Sequence, residues 1–80
     1  METFGARLKN IRTDKKLTQM ELAIKTKTMP WLISRYERDK TKPNIKFVER
    51  LINELKIDAN ELFPQKSKLE FINKVESNIF

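Results

Sequence analysis

Residues 17–38 read LTQMELAIKTKTMPWLISRYER and hold two short helical patterns separated by a few polar residues. Thr18 and Glu21 form a capping box, in which each side chain bonds a free backbone N–H at the start of a helix. That helix is predicted to end near Lys25. Pro30 then marks the first turn of another helix, where its missing N–H costs nothing. The stretch therefore predicts two consecutive helices joined by a short turn.

The second of these helices is amphipathic. Ile33 and Tyr36 are predicted to face inward, whereas Trp31, Arg35 and Arg38 share the opposite face at the spacing i, i+4 and i+7. A basic face of this kind, on the second of two closely joined helices, describes a helix-turn-helix in physical terms.

The flanking sequence is predicted to be helical as well, since Gly occurs once, Pro three times, and apolar residues recur at helical spacing. Three further helices are predicted: one from Phe4 to about Lys15, one capped by Asn44 and ending near Leu55, and a short one from the Asp58–Glu61 capping box to before Pro64. A last helix is predicted from the Ser67–Glu70 capping box to about Asn78, with an apolar side that either packs on the domain or forms a dimer seam.

The composition limits the classes of function that we expect for this chain. A chain of 80 residues is long enough for one domain. The absence of Cys and His removes disulfides, sulfur-ligated zinc and the commonest general base, so we expect no enzyme, no metal site, no cofactor and no small-molecule substrate. No apolar run approaches the ~20 residues that span a bilayer, so we expect no membrane partner and a cytoplasmic location.

The positive charge is concentrated in one part of the chain. Of the formal net charge of +6, residues 25–46 account for +5, because they hold seven basic and two acidic residues. Such a cluster favours a polyanionic partner. The alternative is a solvated cationic face without a partner, and charge alone does not separate the two.

Residues 5–57 resemble the Cro and lambdoid-repressor-like helix-turn-helix family (the XRE-type domain). The matching residues are Gly5, Arg7, Leu8, Lys9, Ile11 and Arg12, then Leu17-Thr18-Gln19 and Glu21-Leu22-Ala23, then Ile33-Ser34-Arg35-Tyr36-Glu37-Arg38, and Pro43 ahead of the Phe47–Leu55 helix. The resemblance implies an all-α fold, with a compact five-helix repressor-like domain over residues 1–64 and an amphipathic helix over residues 65–80.

The same resemblance implies a sequence-specific regulator of transcription that binds double-stranded DNA, of the phage or mobile-element repressor type. Its third helix would enter the major groove, and a homodimer would bind a two-fold operator. Base reading would fall to Pro30, Trp31, Ser34 and Arg35. Arg35 is the strongest of these candidates, because a guanidinium pairs bidentately with guanine.

Other matching positions imply contacts with the phosphate backbone or a structural role. The residues implied to contact phosphate are Thr18, Gln19, Arg38, Lys40, Lys42 and Asn44; each could equally be a solvated surface residue. Arg12 and Glu37 match a buried ion pair that ties the first helix to the third, which is a structural role and not a DNA contact.

The sequence departs from the family pattern around the turn. Lys27 stands where Gly is usual, Thr28 where an apolar residue is usual, and Met29 where Ser or Thr usually caps the third helix. Pro30-Trp31-Leu32 replaces residues that are generally polar. This apolar patch supports an alternative function: a modulator or antirepressor that docks on another repressor or a toxin. A third reading buries Trp31 in the core.

Overall fold

The computed structural model describes residues 3–63, and this part of the chain consists of five helices and no strand. The helices are α1 (Phe4–Asp14), α2 (Gln19–Lys25), α3 (Pro30–Glu37), α4 (Ile45–Leu55) and α5 (Ala59–Leu62). The prediction of an all-α, five-helix fold is confirmed. The amphipathic helix expected over residues 65–80 lies outside the described residues.

Four of the five helices begin with a side chain that accepts a hydrogen bond from a free backbone N–H; these N-cap residues are Thr3, Thr18, Asn44 and Asp58. Both predicted capping boxes in the described residues are present. At the start of α2, the Thr18 N–H donates to Glu21 Oε1 at 2.9 Å. This bond, helped by the Thr18 side chain, holds the pKa of the Glu21 carboxyl below its usual value.

The start of α3 is different, because Met29 occupies its N-cap and offers no side-chain hydrogen bond. Pro30 follows at the first helical position and has no N–H to satisfy. The usual Ser or Thr cap is therefore missing at this helix start. Because Pro30 has no N–H, one backbone donor fewer is left without a partner than if another residue followed Met29.

Four residues that follow or end helices adopt a left-handed backbone conformation, although none of them is glycine: Lys16 (φ 59°), Lys27 (φ 55°), Asp39 (φ 57°) and Lys56 (φ 53°). After α2, the Thr28 N–H donates to the Ala23 carbonyl at 2.8 Å and the Lys27 N–H donates to the Ile24 carbonyl at 3.3 Å. This is the Schellman pattern, which usually places glycine where Lys27 stands. The backbone at Lys27 thus has the conformation for which the family uses glycine.

The core lies between α3 and its neighbours. Its buried residues are Leu8, Leu22, Ala23, Ile33, Tyr36, Phe47, Leu51, Leu55 and Leu62. The rings of Tyr36 and Phe47 pack with their centroids 4.5 Å apart. Helix α3 contacts both α1 and α2, while α4 packs on α2 and α5 packs on α1. Because Ile33 and Tyr36 anchor one side of α3, its other side points outward.

A close approach between the start of α1 and the end of α3 fixes the position of α3. Gly5 is buried, and a Cβ atom there would lie only 2.6 Å from the Glu37 carbonyl oxygen. Asp39 accepts the Gly5 N–H at 3.0 Å and also the hydroxyl hydrogen of Thr3. The carboxylate of Asp39 therefore ties the first turn of α1 to the end of α3.

Candidate nucleic-acid interface

The exposed side of α3 carries the four residues expected to read bases. Trp31 has 60% of its surface exposed, Arg35 is exposed, and Pro30 and Ser34 are half-buried. Positions i, i+1, i+4 and i+5 of a helix lie on one side, so these residues form a continuous strip. We call this strip the α3 face. Its role in reading bases remains a prediction.

The reading that buries Trp31 in the core is wrong. Ile33 and Tyr36 fill the space beneath α3, so the indole has no place in the core and stays largely exposed. The apolar patch also differs from the expected Pro30-Trp31-Leu32, because Leu32 is half-buried and packs against the core. Met29, 56% exposed, takes its place at the surface.

Arg35 is hydrogen-bonded to the segment that follows α3. Its Nε–H donates to Thr41 Oγ1 at 2.8 Å, and its Nη2 lies 3.5 Å from the Lys40 carbonyl oxygen. These bonds connect the last turn of α3 to residues 38–43. The guanidinium therefore positions this loop. A base contact that uses Nε, or that needs another orientation of the side chain, would require it to give up the Thr41 bond.

The residues expected to contact phosphate form two groups beside the α3 face. Arg38, Lys40 and Lys42 are exposed in the segment after α3. Thr18 and Asn44 stand at the starts of α2 and α4, where their side-chain oxygens already accept backbone N–H groups. What Thr18 and Asn44 can offer a phosphate is therefore a hydrogen-bond donor, the hydroxyl or the amide NH₂.

Gln19 is half-buried and its amide Nε2 donates to Glu37 Oε1 at 3.1 Å. Only one of the two amide hydrogens is needed for this bond, so the second can donate to an anion. The carboxylate of Glu37 thus fixes the orientation of the side chain that is expected to hold a phosphate.

Arg12 and Glu37 form the ion pair that connects α1 with α3. Arg12 Nε and Nη2 donate to the two carboxylate oxygens of Glu37 at 2.5 and 3.1 Å, and Nη1 donates to the Leu17 carbonyl at 2.7 Å. The side chains are only 11% and 3% exposed. The guanidinium and the carboxylate bond each other and neighbouring groups, so the pair holds α1 against α3.

Sequence reasoning missed the structural roles of three residues that shape this surface. Thr41 accepts a hydrogen bond from Arg35, and Asp39 accepts one from the backbone N–H of Gly5 in the first turn of α1. Gly5 itself permits the close contact between α1 and α3. Gly5 carried a signal, because a single glycine inside a predicted helix suggests a close backbone approach. The pairing of Arg35 with Thr41 had no signal in the sequence, since both belong to exposed polar stretches.

The surface around the α3 face carries exposed cations and amide donors, which are suited to binding an extended anion. Within residues 3–63, no three acidic side chains are grouped so that they would hold a metal ion. None of the helices in this part of the chain has the length and apolarity to cross a membrane.

Solved structures with a similar fold include a repressor, a controller protein and a gene regulator. The P22 c2 repressor, solved in complex with a synthetic operator, superposes with a TM-score of 0.73 at 25% identity over 79% of this chain and 96% of that chain. The restriction-modification controller protein C.AhdI from Aeromonas hydrophila gives 0.71 at 32% identity over 75% and 91%. The clp gene regulator ClgR from Corynebacterium glutamicum gives 0.68 at 25% identity over 74% and 77%.

No curated protein sequence matches the chain significantly. A family model described as a helix-turn-helix domain matches residues 5–68, which include the α3 face and all five described helices apart from Phe4, the first residue of α1. The match extends over most of the chain, and the expected resemblance to Cro and the lambdoid repressors is confirmed. The chain belongs to the helix-turn-helix domain family.

Proposed function

We propose that this protein regulates transcription by binding double-stranded DNA in a sequence-specific manner, as a repressor of the phage or mobile-element type. Helix α3 enters the major groove, and a homodimer binds a two-fold operator. The operator-bound P22 c2 repressor, which is similar over 79% of this chain, supports this mode of binding.

The observation that carries the proposal is the arrangement of charge around the α3 face. Arg38, Lys40 and Lys42 lie exposed at the end of α3, and Gln19 lies at the start of α2. Cations and amide donors on either side of an outward-facing helix can hold the phosphates that border a major groove. Binding at this surface would therefore depend strongly on salt.

The proposal divides the residues by role. Trp31, Ser34 and Arg35 discriminate between bases, whereas Gln19 and Lys40 fix the protein on the backbone without reading sequence. The Arg12–Glu37 pair contacts no DNA and acts by orienting Gln19.

The test is selection of duplexes from a random library, followed by titration of the preferred duplex and an unrelated duplex over a range of salt concentrations. Arg35→Ala should weaken binding to the preferred duplex by about 1–3 kcal/mol and relax its preference at one position. Lys40→Ala should weaken both duplexes alike and reduce the salt slope by about one. Lys9→Ala, an exposed position on α1, is the matched control and should change neither.

Because Arg35 also holds the loop through Thr41, the variant Thr41→Ala separates the two effects of losing Arg35. It removes the 2.8 Å bond but keeps the guanidinium. Base reading by Arg35 predicts that Thr41→Ala preserves the sequence preference. If Arg35→Ala and Gln19→Ala both bind every duplex as the unsubstituted protein does, the proposed function is wrong.

A second function is favoured by one observation, the 60% exposure of the Trp31 side chain. An exposed tryptophan at the start of a helix is typical of the centre of a protein interface. In this alternative the protein is a modulator or antirepressor whose α3 face docks on another repressor or a toxin. Trp31→Ala would then weaken that complex by about 2 kcal/mol or more. Unchanged DNA binding with no loss of any protein complex would remove the reason for it.

A further inference from the structure

A groove of ≈ 260 Å³ lies between α3 and the first half of α4. Its apolar lining comes from four side chains, those of Met29, Leu32, Tyr36 and Phe47. Tyr36 and Phe47 belong to the buried core and form the floor, while Met29 is 56% exposed at the edge. The groove therefore gives a ligand access to apolar surface that is continuous with the core.

The remaining lining is strongly basic. Among the nine described residues that line the groove, three are cations (Lys27, Lys46 and Arg50) and none is acidic. Arg50 is held in place by its Nη1 atom, which lies 3.5 Å from the Thr26 carbonyl oxygen at the end of α2. Ile45, 67% exposed, lies in the sequence between the lining residues Asn44 and Lys46.

We propose that this groove docks an acidic amphipathic segment of a protein partner. Apolar side chains of the segment pack on Met29 and Leu32, and its carboxylates pair with Lys27, Lys46 and Arg50. The proposal extends the second function to a surface beside the α3 face: neither Trp31 nor Arg35 lines the groove, and Asn44 is the one expected phosphate contact that does.

The chemistry of the groove favours a peptide over a nucleic acid. Phosphates can pair with the three cations, but they gain nothing from an apolar floor. Removing Met29 and the exposed part of Leu32 from water is favourable only against apolar groups. A segment that carries carboxylates beside Leu or Phe side chains satisfies both halves of the groove, as amphipathic helices do in other hydrophobic grooves.

The experiment uses the full chain, isotope-labelled for NMR, and a synthetic helical peptide of about 18 residues with Leu and Phe on one face and Glu and Asp on the other. A peptide of the same composition, scrambled so that the apolar face is lost, is the control. Binding at the groove should shift the amide resonances of Met29, Leu32, Phe47 and Arg50. The scrambled peptide should bind at least about tenfold more weakly, because it cannot present both groups together.

Charge reversal then tests the site. Lys46→Glu should weaken the peptide by about tenfold, whereas Lys9→Glu makes the same change in net charge on α1 and should leave binding unchanged. Equal effects of both variants, or equal binding of the scrambled peptide, would mean that only net charge is sensed and would overturn the proposal.

A short DNA duplex, titrated into the same samples, keeps the two functions apart. Groove resonances that shift with the duplex and not with the peptide would assign the groove to DNA and overturn the peptide proposal, leaving the proposed DNA function intact. Groove resonances that shift with the peptide alone would support the proposal whether or not the protein binds DNA.

Discussion

The substitution Gly5→Ala probes the contact that holds α1 against the end of α3. An added Cβ would lie 2.6 Å from the Glu37 carbonyl oxygen and 2.8 Å from Asp39 Oδ1, and closest of all to the Tyr36 carbonyl oxygen. Two of these three atoms belong to the backbone, so they cannot rotate away. Helix α1 would have to move outward and stretch the 3.0 Å hydrogen bond from Gly5 N to Asp39.

The expected loss of stability follows from these terms. Overpacking costs about 1–3 kcal/mol, and weakening a hydrogen bond to a charged group costs about 1.5–3 kcal/mol. Alanine returns about 1 kcal/mol through its higher helix propensity. We therefore expect Gly5→Ala to lower the free energy of unfolding by about 1.5–5 kcal/mol, a large share of the total for a domain of this size.

Urea denaturation followed by far-ultraviolet circular dichroism measures this loss. Tryptophan fluorescence is a poorer probe, because Trp31 is already exposed in the folded state. Ala6→Gly, one position along the same helix, is the control and should cost only about 1 kcal/mol through propensity. A Gly5→Ala protein as stable as the unsubstituted chain would refute the reasoning, because it would show that α1 and α3 separate at no cost.

Three further predictions concern stability. Arg12→Ala should lower the free energy of unfolding by about 3–5 kcal/mol, because it leaves the buried Glu37 carboxylate without its cation; replacing both residues with apolar ones should cost less, and a double-mutant cycle in urea measures the difference. Lys27→Gly should raise the free energy of unfolding by about 0.5–1 kcal/mol, because glycine adopts φ 55° without strain. The control Lys25→Gly, in α2, should lower it by about 1 kcal/mol. If both variants changed the free energy of unfolding in the same direction, this account would be contradicted. Because the pKa of Glu21 is lowered in the folded state, its ionised carboxylate stabilises the fold at pH values above the ordinary carboxyl range. This contribution is lost as the pH falls through the folded pKa. In Glu21→Gln, the free energy of unfolding should therefore depend less on pH at the acidic end.

Much of the fold was predictable because its determinants are local. Thr18 with Glu21, Asn44, and Asp58 with Glu61 marked three helix starts, and the structure begins α2, α4 and α5 at those caps. The end of α1 fell at Asp14, one residue before the predicted Lys15, because the chain turns there through the left-handed residue Lys16. Helix ends that rely on a positive φ at lysine carry no sequence signal.

The site was less predictable because its contacts join distant parts of the chain. The exposed side of α3 followed from helical periodicity, but the inward turn of Leu32 did not, since a residue at the border between two faces can take either. The bond between Arg35 and Thr41 and the cap that Asp39 provides for α1 depend on how helices dock. Only the structure shows these contacts.

The tether on Arg35 bears on how much sequence preference this protein can have. If α3 enters the major groove as proposed, a guanine contact by Arg35 gains about 1–3 kcal/mol. A contact that uses Nε or reorients the guanidinium also gives up the Thr41 bond, which is worth about 0.5–1.5 kcal/mol. The net gain for such a contact is about 1 kcal/mol, the low end of the loss expected for Arg35→Ala. Trp31 adds only an apolar contact and one donor. The contribution of the cations around the α3 face to binding is not lowered in this way, because phosphate contacts need no particular base. We therefore expect strong, salt-sensitive binding with a preference for its operator near the low end of the range for repressors, about 10³-fold over unrelated DNA. A preference of 10⁶-fold in the duplex titration would mean that Arg35 leaves Thr41 at little cost, and that the loop after α3 rearranges when DNA binds.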